Sequence, residues 1–525
     1  MPRGRPSIDI SPFRLQIQQW KNDDGLTLKQ IVQRLNNEFH IEVQRTTVYR
    51  NLKIWNASMR QYTEDSEQLR ERIKDLFFDK VLNDHFMLLQ LHSEGFLISK
   101  TGLSRIRRDL GLWRRQTPEM TSERLHELRR FFEDESELHT KLETYGRTLL
   151  YVYVRRNHHI LSRRALYSCF RDFSPTCVTE RWNTMRYRRT GWTSPGPDFI
   201  WSLDAYDKLK AWGFEIYASI DAYSRFITWF YVGISSSTSR SVVAQYLDVL
   251  SQRKTMPNII RSDRGQETIL MAGAHYYLSK TRVRAREGIP QDVRFRDCWI
   301  YGKSTHNEKI ESWWLRLSRG RAKFWREYFG EITALGHFSN DSLPDRIAML
   351  YLFMPILRAE FADFVLTWNS HYIRKQRNRP HVVPGQPWTL YFQPTARQVE
   401  SFAEVIPQDR LQTLQDIFDG DRIDLDAYLP EDTIAICDRI LRGQEDLPRD
   451  PPQQPKLSAY LFLRDRLRQY IRSKQQPELA LLETPTGGLD RVRDHLATHD
   501  IDTASLLERI EEEEIDWGEG DQLYD

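Results

Sequence analysis

The chain has 525 residues, 40% of them hydrophobic and 28% charged. That is material for three or four folded units of about 150 residues each, and it excludes a mostly disordered chain or a small disulfide scaffold. The net charge of +3 conceals two unlike parts: residues 396–525 hold 15 Lys+Arg against 30 Asp+Glu, and residues 1–395 hold 61 against 43. A basic body of net +18 and an acidic stretch of net −15 point to a polyanionic partner, nucleic acid first. Cys169, Cys177, Cys298 and Cys437 show no CxxC spacing, so a disulfide framework or a four-cysteine zinc site is not expected. The opening Met-Pro-Arg-Gly-Arg-Pro6 has no apolar signal core, and the longest apolar run, Ala348–Leu357, is too short for a bilayer. The expectation is a soluble, intracellular protein with no membrane partner.

The first 190 residues read as helices joined by turns. Leu28, Ile31, Val32 and Leu35 share one helical face. A break at 39–43 follows, then a helix over Arg45–Trp55 whose first turns carry Thr46, Thr47 and Arg50. Such a pair resembles a helix-turn-helix, in which the second helix enters the major groove. A second pair spans Leu82–Trp113, and its later helix is basic, with Lys100, Arg105 and Arg107. A third lies at Leu149–Phe170. Each is also compatible with an ordinary helical hairpin that has a solvated basic face. Arg3 and Arg5, in Pro-Arg-Gly-Arg-Pro, resemble the core of an arm that enters A·T minor grooves, or a plain charged terminus.

Between Arg181 and Pro197 a basic and then Pro/Gly-punctuated stretch reads as a linker. Strand patterns follow at Phe199–Ala205, Phe214–Ile220 and Phe226–Val232, the last two forming a hairpin around 221–225. Ser241–Arg253 has helical spacing, 258–262 is a short buried strand, and Thr268–Lys280 and Asn307–Arg319 are again helical. Strands first, then alternation with helices, predict an α/β fold with a mixed sheet and flanking helices. Leu343–Leu366 is strongly apolar and packs on the sheet. Beyond Pro394 amphipathic patches such as Leu457–Ile471 suggest a helical acidic region, and from Glu511–Glu514 onward the sequence reads as a disordered tail.

Asp204 ends one apolar strand, Asp263 ends another just before Gly265, and Glu311 lies in the first turns of a helix. Singly each is bland, because strand-end aspartates cap turns and helix-start glutamates suit the dipole. Glu308 lies three residues before Glu311, so helix geometry alone leaves both open; Asp207 and Asp221 read as loop and turn residues.

The ordered set Trp201-Ser-Leu-Asp204, Ile220-Asp-Ala-Tyr-Ser-Arg225, Arg261-Ser-Asp-Arg-Gly265 and Asn307-Glu-Lys-Ile-Glu-Ser-Trp313 resembles the core of retroviral-type integrases and DDE transposases. Lys208-Leu209, Trp212-Gly-Phe214, Gly302-Lys-Ser-Thr-His-Asn307 and Trp368-Asn-Ser-His-Tyr-Ile-Arg374 bring it nearest to a eukaryotic group of integrase-core proteins. The likeness covers 149–388. It implies an RNase H-like core over 191–395, preceded by a helix-turn-helix segment at 1–60 and a further helical region at 61–190, and followed by the acidic region 396–525. It implies Asp204, Asp263 and Glu311 as catalytic residues and ligands of two Mg²⁺ or Mn²⁺ ions, with Glu311 chosen over Glu308 because Asn-x-x-Ile-Glu-x-Trp matches the family's run. In-line attack on a phosphodiester needs charge neutralised on both attacking and leaving oxygens, which two hard cations about 3.5–4 Å apart supply.

By the same resemblance DNA is the partner, with Lys303, His306, Asn307, Lys309 and Arg316 (and Arg319 and Arg321 beyond) placing donors and charge beside its backbone. One departure is that 47 residues separate Asp263 from Glu311, more than in the retroviral pattern, with the excess assigned to Lys280–Arg296. The zinc module that precedes retroviral cores has no counterpart in the cysteine spacing. The expected activity is DNA cleavage and strand transfer by a mobile-element-derived, nuclear, possible homo-oligomeric enzyme. The alternatives are a domesticated, non-catalytic DNA-binding protein and a nuclease for RNA–DNA hybrids. The acidic region is expected to contact a basic protein or the chain's own basic body.

Overall fold

A computed structural model describes residues 9–22, 26–55, 63–114, 118–138, 142, 145–174, 194–280, 293–302, 307–375, 382–419, 424–443, 447–483, 490–503 and 506. Arg3, Arg5, Lys303, His306, most of the expected linker, most of the stretch 280–296 and the run 511–514 lie outside them. The chain forms two compact units, Met1–Phe77 with Leu82–Trp113, and Phe78–Val81 with Arg114–Asp525.

In the first unit, helices Arg14–Asn22, Leu28–Phe39 and Arg45–Ile54 bury Ile17, Trp20, Ile31, Leu35, Val48 and Leu52 against one another. The second helix starts where Thr27 and Gln30 cap each other reciprocally, and it stops at His40, whose φ of 55° is left-handed. Helices Glu67–Phe78, Asp84–Ser93 and Lys100–Asp109 complete the unit, the last two capped by Asn83 and Ser99 side chains.

The second unit is built on a five-stranded sheet of order β3-β2-β1-β5-β6: β1 Ile200–Ala205, β2 Glu215–Asp221, β3 Ile227–Gly233, β5 Ile259–Ser262 and β6 Trp299–Tyr301. The first three strands are antiparallel, while β1, β5 and β6 run parallel. The turn between β2 and β3 is tied by Asp221, which accepts from Ser224 N and Oγ at 2.7 and 2.6 Å and from Asp198 N at 2.8 Å. This fits the turn-capping role expected of it.

Period-two alternation divides the sheet's side chains between two cores. Ile216, Ala218 and Ile220 face one core, filled by Ile310, Trp313 and the long helix Leu343–Ser370, which carries Pro355 within it. Leu203, Tyr217, Trp229 and Ile260 face the other, covered by helices Ser239–Arg253 and Ile269–Ser279. Helices Pro118–Leu138, Arg147–Arg156 and Arg163–Phe173 supply Leu128, Phe132, Tyr153 and Phe170 to the first core. The third expected helix pair is therefore part of this packing.

The acidic region is built into the same unit. Gln408–Asp419 and Asp490–Ala497 add Leu411, Leu414, Val492 and Leu496 to the second core. Glu431–Leu441 and Leu457–Arg472 add Ile436, Cys437, Tyr460, Leu463 and Leu467 to the first. A two-residue strand at Glu404–Val405 (β7) pairs with Thr255–Met256 (β4). Among the described residues the inner faces of these helices complete both cores. Among the described residues no helix is long and apolar enough to cross a membrane.

Candidate functional site

Asp204 lies near the carboxyl end of β1, and by alternation its side chain leaves the sheet on the face opposite Leu203. Asp263 follows directly on β5. The parallel register pairs Ser202 with Arg261, so two residues further along each chain Asp204 comes level with Asp263. In open α/β sheets the carboxyl ends of parallel strands are where ligands bind. Glu311 arrives from the helix Glu308–Leu317, whose start is pinned to β1 by Asn307 Nδ2 donating to the Leu203 carbonyl at 2.7 Å. Seven residues later Trp314 Nε1 donates to Asp204 Oδ2 at 3.0 Å, while Oδ1 accepts the Ala205 N–H at 3.0 Å.

The electrostatics report the same convergence. Burial pushes the Asp204 carboxyl up to about 7, and the charges of Asp263 and Glu311 add to the rise, against the Trp314 and Ala205 hydrogen bonds. Burial also raises Asp263, with Asp207 adding to it. Glu267 is raised by burial and then by Asp263 and Asp207. Five carboxyls, of Asp204, Asp207, Asp263, Glu267 and Glu311, thus act on one another where water is partly excluded, which disfavours ionisation unless a cation is added.

The donor chemistry fits a hard divalent cation, because every candidate ligand is a carboxylate oxygen. The side chains as they stand do not close on one: among the described residues no group of three or more His, Cys, Asp or Glu is placed to hold a metal ion. Asp204 in particular is held by Trp314 and Ala205.

Two neighbours escaped the sequence reading. Glu267 stands four residues after Asp263, and a side chain at Gly265 would overlap its carboxylate, so the glycine makes room for it. The spacing Asp-Arg-Gly-Gln-Glu was visible, but not that the chain would fold the second carboxylate back beside the first. Trp314 reads from sequence as one more buried aromatic; only the placement of its helix against β1 reveals a polar role.

Several expected DNA contacts are corrected by burial. Arg107 is 4% exposed, bonded to Asp84 at 2.8 Å and to the Leu112 carbonyl at 2.7 Å, so it ties its own unit together. Asn307 and Lys309 are 3% and 5% exposed and face inward. Arg321, also buried, lies against the Tyr145 ring and 3.6 Å from Asp363. Thr46, Arg50, Lys100, Arg105 and Arg316 are exposed, and Thr47 is half-buried.

Residues 192–401 match the family model described as Integrase core domain. The five strands, Asp204, Asp263 and Glu311 all fall inside this integrase core domain. A chain of the simian T-cell lymphotropic virus intasome, solved by cryo-EM in complex with PP2A regulatory subunit B56 gamma, is similar at 11% identity. The match covers 47% of this chain and 73% of that one, with a TM-score of 0.23, too loose a superposition to support an argument. No curated protein matches.

Proposed function

We propose that the protein is an integrase- or transposase-type enzyme that cleaves DNA and joins strands, with Asp204, Asp263 and Glu311 as its acidic triad. The observation that carries this reading is the gathering of three carboxyls at the carboxyl end of two parallel strands, inside the integrase core domain. Asp204, Asp263 and Glu311 would hold two Mg²⁺ or Mn²⁺ ions, which neutralise charge on the attacking and leaving oxygens of a phosphodiester.

The chain's own residues prepare the site. Trp314 and Ala205 orient Asp204, and Asn307 fixes the start of the helix that carries Glu311. Arg316, exposed five residues beyond Glu311, would meet phosphate. In the first unit Thr46, Thr47 and Arg50, with Lys100 and Arg105 on the second basic helix, would contact the duplex in helix-turn-helix fashion, with Arg3 and Arg5 as an accessory arm. Joining two DNA ends calls for at least two such chains, hence a homo-oligomer on DNA. A chromosomal substrate places the enzyme in the nucleus, and strand-joining chemistry suits descent from a mobile element.

The second reading is a domesticated DNA-binding protein that keeps the core without catalysis. In its favour, both Asp204 oxygens already have hydrogen-bond partners. Purified protein incubated with the DNA ends of its own locus and Mg²⁺ or Mn²⁺ decides between them. Nicked and joined products that vanish in Asp204→Asn and Glu311→Gln support the enzyme; DNA binding without metal-dependent products supports the second reading.

A further inference from the structure

We propose that the hairpin of helices Arg147–Arg156 and Arg163–Phe173 carries a phosphate-backbone surface of its own, built on two arginines locked over tyrosine rings. It rests on the reading of DNA as the partner and not on the triad or a metal ion. The Arg147 guanidinium lies 5.6 Å over the Tyr167 ring of the opposite helix, and Arg163 returns the arrangement, 4.8 Å over Tyr151. In each helix the arginine and the tyrosine are four residues apart and share a face. The two crossed stacks therefore stand one helical turn, about 5–6 Å, apart. Leu150, Val154, Leu166 and Phe170 of the same helices are buried in the first core. Arg147 and Arg163 are exposed, and the two rings are half-buried.

Charge balance says what covers this face. Residues 147–171 hold six arginines and no aspartate or glutamate. Two of the six are used internally: Arg156 pairs with Asp363 at 2.6 Å, and buried Arg155 donates to the Tyr151 hydroxyl at 2.8 Å. Arg147, Arg163, Arg164 and Arg171 are exposed, and among the described residues no carboxylate pairs with Arg147 or Arg163. Arg374 adds to the cluster: burial raises the Tyr167 hydroxyl, and the charges of Arg163, Arg147 and Arg374 oppose the rise. Like charges held a turn apart repel one another unless a polyanion spans them. Nucleic acid is the polyanion that the basic body as a whole calls for. The stacking decides what is read. An arginine flat on a ring keeps its N–H edge free for a bidentate phosphate contact, and its rotamer is already fixed, so less entropy is lost on binding. The ring face under each guanidinium is closed to bases, so the surface reads backbone rather than sequence.

The test uses the full chain without added metal, which separates binding from catalysis. Fluorescence anisotropy with two duplexes of unlike sequence, over a range of salt, compares wild type with Arg147→Gln/Arg163→Gln. We expect the double variant to bind both duplexes at least about tenfold more weakly at physiological salt, with the salt slope of log K reduced by about 0.9 for each arginine. A second measurement needs no variant: phenylglyoxal labelling of wild-type arginines, read by mass spectrometry, should show Arg147 and Arg163 protected by saturating duplex. Labelling of both undiminished by bound duplex overturns the surface, whether or not the double variant folds, and leaves the triad reading standing. Unchanged affinity and slope in a folded double variant do the same. Protection by polyglutamate and not by DNA assigns the face to an acidic protein and overturns it too. A wild-type chain with no affinity for duplex overturns the proposed function, and this surface with it.

Discussion

Asn307 Nδ2 reaches the main-chain carbonyl of Leu203 across 2.7 Å, joining the residue before one candidate carboxylate to the cap of the helix that bears another. The bond is buried, and among the described residues the Asn307 Oδ1 has no partner. Asn307→Leu keeps the volume and strands the Leu203 carbonyl. It should cost about 1–3 kcal/mol in urea unfolding. Any nicking activity should fall further than stability explains, because Glu311 shifts with its helix. Activity unchanged in a destabilised variant would mean that this bond serves packing alone.

Arginines on one basic helix should separate cleanly. Arg107→Ala removes a buried guanidinium from its ion pair with the part-exposed Asp84 and from the Leu112 carbonyl, and should destabilise the first unit by about 1–3 kcal/mol. Arg105→Ala, on the exposed face, should leave the melting temperature within a degree or two. It should weaken DNA binding and, if Arg105 neutralises a phosphate, reduce the salt slope of log K by about 0.9. Fluorescence anisotropy with labelled duplex at several salt concentrations, beside thermal melts, reads both.

His371 supplies a pH dependence. It is buried at 7% exposure, its Nδ1 bonded to the Trp368 carbonyl, and burial holds its pKa down at about 4 against an ordinary 6.5. Between those values the unfolded chain takes up a proton that the folded chain refuses. Stability is therefore full above about pH 6.5 and falls as pH drops towards 4, by about 3 kcal/mol at most from this group. Denaturant titrations at pH 7 and pH 5 should show a smaller loss for His371→Gln than for wild type; equal losses would remove His371 as a cause.

The strands were legible because alternation at Trp201–Asp204 and the hairpin around Asp221 are local signals. The carboxylate pair was legible only through motif order: Asp204 and Asp263 meet because a parallel pair brings together residues 59 apart, and no local pattern encodes that. Faces were the harder matter. Arg107 and Lys309 sit on basic helices, where composition gives the sign of the charge but not which side packs inward. In the acidic region the amphipathic patch Leu457–Ile471 was legible, and Tyr460, Leu463 and Leu467 within it fill one core, whereas the pattern did not say which core it or Leu411 and Leu414 would join.

That packing has a consequence for truncation. Ending the chain after Thr395 would strip Leu411, Leu414, Val492 and Leu496 from one core and Ile436, Tyr460, Leu463 and Leu467 from the other. At about 1.5–3 kcal/mol per buried apolar side chain the loss exceeds the whole stability of a typical domain. Such a protein should be insoluble or melt without cooperativity, whereas removal of 507–525 should preserve a cooperative transition. A soluble, cooperatively melting 1–395 chain would show that the acidic region is dispensable for the core.

The central claim is that Asp204, Asp263 and Glu311 act together on DNA. Its most direct test is a strand-transfer assay in Mg²⁺ or Mn²⁺ comparing wild type with Asp204→Asn, Asp263→Asn and Glu311→Gln, with duplex affinity measured on the same preparations. The account predicts metal-dependent product from wild type and at least about 100-fold less from each variant at unchanged DNA affinity. Product formed undiminished by Asp263→Asn would contradict it.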